Sequence, residues 1–200
     1  PTRRGGRTPN RPEWAAPAPE LTAEQSAVLG AIDLQAGFSA HLLYGVTGSG
    51  KTEVYLRLIE RTLATGEQVL LLVPEINLTP QLEGRVRARF PEGVVVSLHS
   101  ELAEAARERN WRAAFAGEAD IVLGTRLAIF TPMPRLGLIV VDEEHDSSFK
   151  QQDGMRYSAR DVAVFRAHQR GVPILLGSAT PSLESWANAQ GRRYGLLTLH

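Results

Sequence analysis

The segment GVTGSGKT, residues 45–52, is the strongest indicator of the fold, because it stands between an apolar run, His41 to Tyr44, and a segment of helical length, Lys51 to Ala64. Backbone N–H groups of such a glycine-rich loop, together with the start of the next helix, form a cradle for phosphate groups. In this arrangement Lys51 reaches the outer phosphates and the Thr52 hydroxyl binds Mg²⁺. A glycine-rich turn without a ligand is the alternative. The residues predicted to bind nucleotide phosphates are Gly45, Val46, Thr47, Gly48, Ser49, Gly50, Lys51 and Thr52.

Short apolar runs alternate along the chain with segments of helical length. The runs are nearly continuous in apolar residues, which is typical of strands covered on both faces. This alternation predicts an α/β fold with a parallel sheet and right-handed crossovers. In such sheets the ligand site lies at the carboxyl ends of the strands. The predicted strands are 41–44, 68–73, 94–98, 121–123, 136–141 and 174–176, and the predicted helices are 51–64, 79–90, 101–116 and 158–169.

A charged run, Asp142-Glu143-Glu144-His145, follows the predicted strand 136–141. Beside a phosphate-binding loop, a carboxylate at a strand end holds Mg²⁺ through water, and its neighbour orients the water that attacks the γ-phosphate. We therefore predict that Asp142 serves the metal and Glu143 the water, with Lys51 as the third catalytic residue. A solvated acidic loop is the alternative, and a lone histidine such as His145 can simply bridge two loops.

A third motif, Gly177-Ser178-Ala179-Thr180-Pro181, follows the predicted strand 174–176. Its hydroxyl groups can hydrogen-bond the acidic run and report whether the γ-phosphate is present. A turn or a helix cap explains Ser178 and Thr180 equally well when the motif is taken alone. Its position after the first two motifs makes it informative.

Composition limits the class of protein. The chain has 200 residues, a formal net charge of zero and no cysteine. Within these residues the missing cysteines exclude disulfides, a zinc ribbon, an iron–sulfur cluster and a thiol nucleophile. Zero net charge argues against nucleic-acid binding by bulk electrostatics but leaves room for a local basic groove. We find no signal peptide and no apolar run long enough to span a bilayer, so we expect a soluble, cytoplasmic protein.

Residues 1–20 differ from the rest of the chain. They hold five of the twelve prolines and no aliphatic residue larger than alanine, so they cannot offset ordering entropy by burial. We predict an extended, basic and Pro-rich linker at 1–20 that enters one domain at 21–200. The four arginines of this stretch could contact phosphate, and a solvated spacer is the alternative.

The order of motifs resembles the first RecA-like motor lobe of superfamily-2 DNA helicases. Two longer stretches, TGSGKTEVY (47–55) and DEEHDSSFKQQDGMRYSARDVA (142–163), are more specific and are similar to the primosomal replication-restart helicases. The resemblance covers nearly all of residues 21–200. The other motifs that carry it are LTAEQ (21–25), VPEI (73–76), LTPQ (78–81), LHS (98–100), GTR (124–126) followed by AIFTP (128–132), and GSATPS (177–182).

The resemblance implies an ATP- and Mg²⁺-dependent helicase that unwinds DNA in the 3′-to-5′ direction at stalled replication forks. It implies single-stranded and forked DNA as ligands, and primosome and single-strand-binding proteins as partners, with no membrane and a nucleoid-associated location. A second lobe with zinc-binding cysteines, a fork-binding N-terminal domain and a winged helix would lie outside these 200 residues. Because the arginine finger would come from that second lobe, we expect the isolated chain to hydrolyse ATP very slowly.

The resemblance also implies roles for single residues. Gln25 would contact the adenine, and His145, Ser178 and Thr180 would couple hydrolysis to movement. Met155 stands where such helicases often have an aromatic residue in a loop that senses DNA, which weakens the expected base stacking. A helix cap or a surface charge is the alternative for Thr79 and Arg126, and a loop whose ring caps the core is the alternative for residues 149–157. The residues expected to contact DNA are Pro74, Thr79, Gly124, Thr125, Arg126, Lys150, Arg156 and Tyr157.

Two other functions remain open from the sequence. A small-molecule P-loop kinase would share the phosphate cradle but should carry an Arg-bearing lid instead of the GTR and GSATP motifs. A catalytically silent scaffold that binds forks would be expected to have lost Lys51 or Glu143, and both are present.

Overall fold

A computed structural model describes residues 19–200 of the chain. This part contains nine strands and six α-helices. The predicted linker lies outside the described residues except for Pro19 and Glu20. Within the described part, no helix is long and apolar enough to cross a membrane. The strands are β1 (Ala40–Gly45), β2 (Gln68–Leu72), β3 (Val95–Leu98), β4 (Ile121–Gly124), β5 (Leu136–Val141), β6 (Lys150–Gln151), β7 (Tyr157–Ser158), β8 (Ile174–Ser178) and β9 (Gly195–Leu199). The helices are α1 (Ala23–Ala31), α2 (Lys51–Ala64), α3 (Pro80–Arg89), α4 (Glu104–Phe115), α5 (Ala159–Arg170) and α6 (Leu183–Gln190).

Seven of the strands form one sheet in the order β3-β4-β2-β5-β8-β1-β9, and every neighbouring pair in it is parallel. This confirms the predicted α/β fold. The remaining strands, β6 and β7, pair antiparallel as a short ribbon where the sequence predicted only a loop.

The sheet is buried on both faces, as the continuous apolar runs predicted. In β2, Leu70 and Leu72 belong to one hydrophobic cluster, whereas Val69 and Leu71 belong to the other. Helices α4, α5 and α6 contribute alanines to the first cluster, and α1, α2 and α3 contribute larger aliphatic residues to the second. Because successive side chains of a strand point to opposite faces, an unbroken apolar strand serves both layers.

Capping side chains set several helix starts within a residue or two of the predicted ones. The Thr79 hydroxyl accepts from Leu82 N at 3.2 Å, so α3 begins one residue later, at Pro80. Ser158 caps α5 in the same way. Helix α4 starts three residues after its predicted position, because residues 99–102 close a turn first. Helices α1 and α6 and the edge strand β9 were not predicted.

Gln68 is a fully buried polar residue at the start of β2. Its Nε2 donates to the Ala119 carbonyl at 2.6 Å and to the Ala114 carbonyl at 3.3 Å, and its Oε1 accepts from Arg135 N at 3.0 Å. The side chain thereby ties the end of α4 and the start of β5 to the centre of the sheet.

We expect Gln68→Leu to lower the free energy of unfolding by about 2–3 kcal/mol, because the buried Ala119 carbonyl and the backbone N–H of Arg135 both lose their hydrogen bonds to this side chain. Chemical denaturation measures this. Gln169→Leu, at an exposed position of α5, is the matched control and should change stability by less than about 0.5 kcal/mol. Equal effects of the two substitutions would contradict the role given to Gln68.

Candidate nucleotide site and neighbouring strand ends

The glycine-rich loop joins the carboxyl end of β1 to the start of α2. Gly48 and Gly50 have φ angles of 86° and 90°, a region that favours glycine. Gly50 is the N-cap of α2 and offers no side-chain cap, so N–H groups of the first turn remain available to an anion. The loop thus has the backbone conformation that a phosphate cradle requires.

Lys51 is buried, and its ammonium group lies within the curve of the loop. Its Nζ donates to the Gly45 carbonyl at 2.6 Å and to the Val46 carbonyl at 3.3 Å. These carbonyls hold the positive charge where an incoming phosphate would replace them as its partner.

Gln25, predicted to contact adenine, connects α1 to this loop. Its side-chain Oε1 accepts from the backbone N–H of Thr22 at 2.9 Å, and its backbone N–H donates to the Thr22 hydroxyl. The two bonds form a capping box. Its Nε2 lies 3.4 Å from the Gly50 carbonyl. The amide is therefore placed beside the phosphate cradle.

Asp142 lies directly after β5, facing the loop, and its carboxylate accepts a hydrogen bond from Tyr55 of α2 at 2.9 Å. Burial raises the pKa of Asp142, and the charge of Glu143 adds to the rise, whereas the Tyr55 bond opposes it. Burial and Asp142 together hold the pKa of Tyr55 well above its usual value. Gly177 makes this contact possible, because a Cβ there would overlap the Tyr55 hydroxyl.

Glu143 adopts a φ angle of 46°, in the left-handed region that a non-glycine residue rarely occupies. Its carboxylate lies 3.6 Å from His145 Nδ1. That nitrogen also lies 2.7 Å from the Ser178 hydroxyl, and His145 Nε2 lies 3.2 Å from the Thr180 hydroxyl. The structure therefore brings together the acidic run and the hydroxyl residues of the third motif, with His145 between them.

A cleft of about 630 Å³ lies over these groups. Thr47, Gly48, Gly50, Lys51 and Thr52 line it together with Asp142 and Glu143. In residues 19–200, no cluster of three or more His, Cys, Asp or Glu side chains could hold a metal ion by itself. Mg²⁺ bound along with phosphates needs only one or two protein oxygens, a number that the predicted ligands Thr52 and Asp142 would supply.

The residues expected to contact DNA lie at the same edge of the sheet, beyond β2 and β4. Gly124 pairs in register with Leu72, and its carbonyl accepts from Val73 N at 3.0 Å, which places Pro74 beside it. Thr125 is buried. The Thr79 hydroxyl caps α3, which is the alternative role that the sequence allowed for this residue.

Arg126 holds the base of the β6–β7 ribbon. Its Nη1 donates to the carbonyls of Ser148 and Lys150, at 3.2 and 3.3 Å. In the ribbon, the Tyr157 ring packs edge-on against Phe130 with centroids 5.1 Å apart. Met155 is 74% exposed, so it is the apolar tip of this segment. A depression of about 620 Å³ is lined by ribbon residues that include Lys150, Arg156 and Tyr157.

Two features of the site were missed by the sequence reasoning. Tyr55 follows Lys51 by four residues, so both lie on one face of α2. The helical period is therefore a sequence signal that places Tyr55 near the site. Arg89 is buried between α2 and α3, where its Nη2 lies 3.4 Å from carboxylate oxygens of both Glu53 and Glu60. No signal in the sequence indicates that this cluster borders the cleft.

Most of this chain is similar in sequence to curated proteins. The replication restart protein PriA of Synechocystis is 56% identical over 174 residues, which are 86% of this chain and 21% of that protein. PriA of Haemophilus influenzae is 50% identical over 179 residues, 90% of this chain and 24% of that protein. PriA of Bacillus subtilis is 51% identical over 158 residues, 79% of this chain and 20% of that protein. The chain thus spans about a quarter or less of the length of these curated relatives.

Solved structures share the fold. RecG bound to a three-way DNA junction superimposes with a TM-score of 0.67 at 24% identity, over 90% of this chain and 24% of that one. The helicase MrfA bound to DNA gives a TM-score of 0.64 at 15% identity, over 89% of this chain and 27% of that one. The DEAD/DEAH box helicase family model matches residues 22–189. The chain therefore belongs to the DEAD/DEAH box helicase family.

Proposed function

We propose that this chain, with its domain at residues 21–200, is the ATP-binding motor lobe of a longer helicase. That helicase unwinds DNA in the 3′-to-5′ direction and acts in replication restart and primosome assembly, in the bacterial cytoplasm at the nucleoid. Relatives named as replication restart proteins, with 50–56% identity, support this proposal. The observation that carries it is the cleft in which the glycine-rich loop faces Asp142 and Glu143.

In this proposal the loop residues 45–52 bind the phosphates of ATP and Gln25 contacts the adenine. Thr52 and Asp142 would hold Mg²⁺, which neutralises charge on the β- and γ-phosphates when it is bound. Lys51 exchanges its carbonyl partners at Gly45 and Val46 for phosphate oxygens. Its buried ammonium then stabilises the charge that develops during transfer.

Glu143 orients the attacking water and accepts its proton. The water oxygen bonds to the γ-phosphorus as the bond from that phosphorus to the bridging oxygen breaks, and ADP departs with the electron pair. His145 joins Glu143 to Ser178 and Thr180 through contacts of 3.6, 2.7 and 3.2 Å. A change in the position of Glu143 on loss of the γ-phosphate would be transmitted to β8 and α6 through these contacts.

Single-stranded DNA would cross the strand ends beyond β2 and β4. Pro74, Thr79, Gly124, Thr125 and Arg126 would contact its backbone, and Lys150, Arg156 and Tyr157 would contact it from the ribbon. Hydroxyl and backbone groups with a few cations suffice for such a track, so a chain with zero net charge can bind DNA. Primosome and single-strand-binding proteins are the proposed partners of the full-length protein.

The two other functions are not favoured. The helicase family model matches residues 22–189, which argues against a small-molecule kinase. Lys51 and Glu143 both line the cleft, which speaks against a catalytically silent scaffold.

The first test measures DNA-stimulated ATP hydrolysis by the chain extended through its natural C-terminal continuation. We expect Glu143→Gln to lower kcat at least about a hundredfold while ATP still binds, because the water loses its base. Lys51→Ala should weaken ATP binding about tenfold or more, because a charge-assisted contact is lost. The control is Glu118→Gln, at an exposed position before β4 and away from the strand carboxyl ends, and it should leave the rate unchanged. If neither Lys51→Ala nor Glu143→Gln changes the rate, the motor assignment fails.

The second test concerns Tyr55. We expect Tyr55→Phe to raise the Mg²⁺ concentration for half-maximal ATP hydrolysis about tenfold, because Asp142 loses a hydrogen bond to its charged form. Gly177→Ala should act in the same direction by displacing the Tyr55 ring. Thr62→Val removes another buried hydroxyl of α2, which donates to the Leu58 carbonyl, and should not alter the Mg²⁺ dependence. An unchanged Mg²⁺ requirement in Tyr55→Phe would show that the hydroxyl does not orient Asp142.

The third test concerns Arg156, an exposed residue of the ribbon segment. A cation that neutralises one phosphate of single-stranded DNA contributes about 0.7 to the slope of log affinity against log salt concentration. We expect Arg156→Ala to reduce that slope by about this amount, measured by fluorescence anisotropy on oligo-dT. Arg193→Ala, at an exposed position between α6 and β9, should leave the slope unchanged. Identical slopes for wild type and Arg156→Ala would exclude a phosphate contact.

A further inference from the structure

Glu144 differs sharply from the acidic residues before it. Asp142 and Glu143 line the cleft, whereas the Glu144 side chain is completely buried. A buried carboxylate is stable only where hydrogen bonds or an opposite charge replace the water that it has lost. Glu144 therefore has a role that its neighbours do not share.

Four hydrogen bonds satisfy this carboxylate. Its Oε1 accepts from Ser182 N at 2.7 Å. Its Oε2 accepts from three side chains: the Ser182 hydroxyl at 2.9 Å, the Ser185 hydroxyl at 2.8 Å and Arg160 Nη1 at 3.2 Å. All these donors come from the first turn of α5 or the start of α6, so the carboxylate joins two helices to the acidic run.

Arg160 is the one cation in this group, and it is buried as well. Its Nη1 also donates to the Ser182 hydroxyl at 2.6 Å, and its Nε donates to Asp161 at 2.8 Å. Glu184, an exposed carboxylate, lies 3.8 Å from the same Nη1. The guanidinium thus holds Glu144 and its serine partner through Nη1 while Nε holds Asp161, and an ammonium group, which has a single nitrogen, cannot occupy both positions.

Backbone bonds carry the constraint from Glu144 to its neighbours. Glu144 N donates to the Gly177 carbonyl at 3.0 Å, and Asp142 N donates to the Leu72 carbonyl at 2.9 Å. Glu143 lies between these two fixed points with its φ of 46°. A backbone in this sparsely populated region persists only where the surrounding structure determines it, and the two anchors supply that determination.

We propose that Glu144 and Arg160 are positioning residues for ATP hydrolysis: their buried pair fixes the backbone that aims Glu143 and His145. This inference rests on the proposed function of the cleft. Neither residue lines the cleft, so the pair acts on the turnover step and not on ATP affinity. A purely structural pair would instead lower the fraction of folded protein and leave each folded molecule fully active.

The test uses the chain with its natural C-terminal continuation at saturating DNA. Binding of a nonhydrolysable ATP analogue counts the functional sites, so that kcat refers to folded molecules only. We expect Arg160→Met to lower kcat at least tenfold with the KM for ATP within twofold of wild type. Arg160→Lys keeps the charge but not the forked donors, and kcat should recover to about threefold below wild type. Arg166→Met is the matched control, because Arg166 lies on α5 and binds the carbonyls of Ile129 and Thr131; its kcat per site should equal that of wild type.

Ser185→Ala keeps the inference testable if the Arg160→Met protein does not fold. It removes one hydroxyl donor from Glu144 and leaves the ion pair, and we expect kcat to fall two- to fivefold at unchanged KM. A kcat per site equal to that of wild type in Arg160→Met, or in Ser185→Ala where the former is unfolded, overturns the inference alone. A wild-type protein whose ATPase does not depend on Lys51 overturns the proposed function and the inference with it.

Discussion

Parallel strand pairing in the large sheet fixes the starting points of the loops that carry the glycine-rich motif, the acidic run and the third motif. Tyr44 is in register with Ser178, Leu176 with Val141, and Val141 with Leu72. The loops that leave these strands therefore start side by side, although they are up to 134 residues apart in the sequence, from Tyr44 to Ser178. Since both faces of the sheet are covered, its carboxyl edge is where polar loops can meet without disturbing the core.

Burial divides the acidic run into different environments. Asp142 is partly buried and bound to one hydroxyl, Glu143 is strained and borders the cleft, and Glu144 is enclosed by four donors. Three adjacent carboxylates in water would repel one another and behave alike. The strand end gives each of them a separate set of partners, which allows neighbouring residues of one chemical type to serve different purposes.

Sequence patterns predicted the fold, and they pointed to many of the residues that line the cleft, because both depend on local signals. Continuous apolar runs located six of the seven strands of the large sheet, all but β9, and the glycines of residues 45–52 located the loop. The patterns failed where a property depends on distant residues. Nothing in DEEH distinguishes Glu144 from Glu143, because the donors that bury it lie 16 to 41 residues away. Tyr55 and Asp142 are 87 residues apart, and their contact depends on the small size of Gly177.

The choice between arginine and lysine follows from the same architecture. All but two of the 22 basic residues are arginine, and the exceptions are Lys51 and Lys150. In residues 19–200, six arginines donate to backbone carbonyls at helix ends and in loops, where a forked donor can bind two groups at once. In the proposed function, Arg126 is therefore the one DNA-contacting residue of this set whose head group is already bound to the fold, and contact with phosphates would rest mainly on exposed cations such as Arg156. The six are Arg57, Arg61, Arg126, Arg135, Arg166 and Arg170.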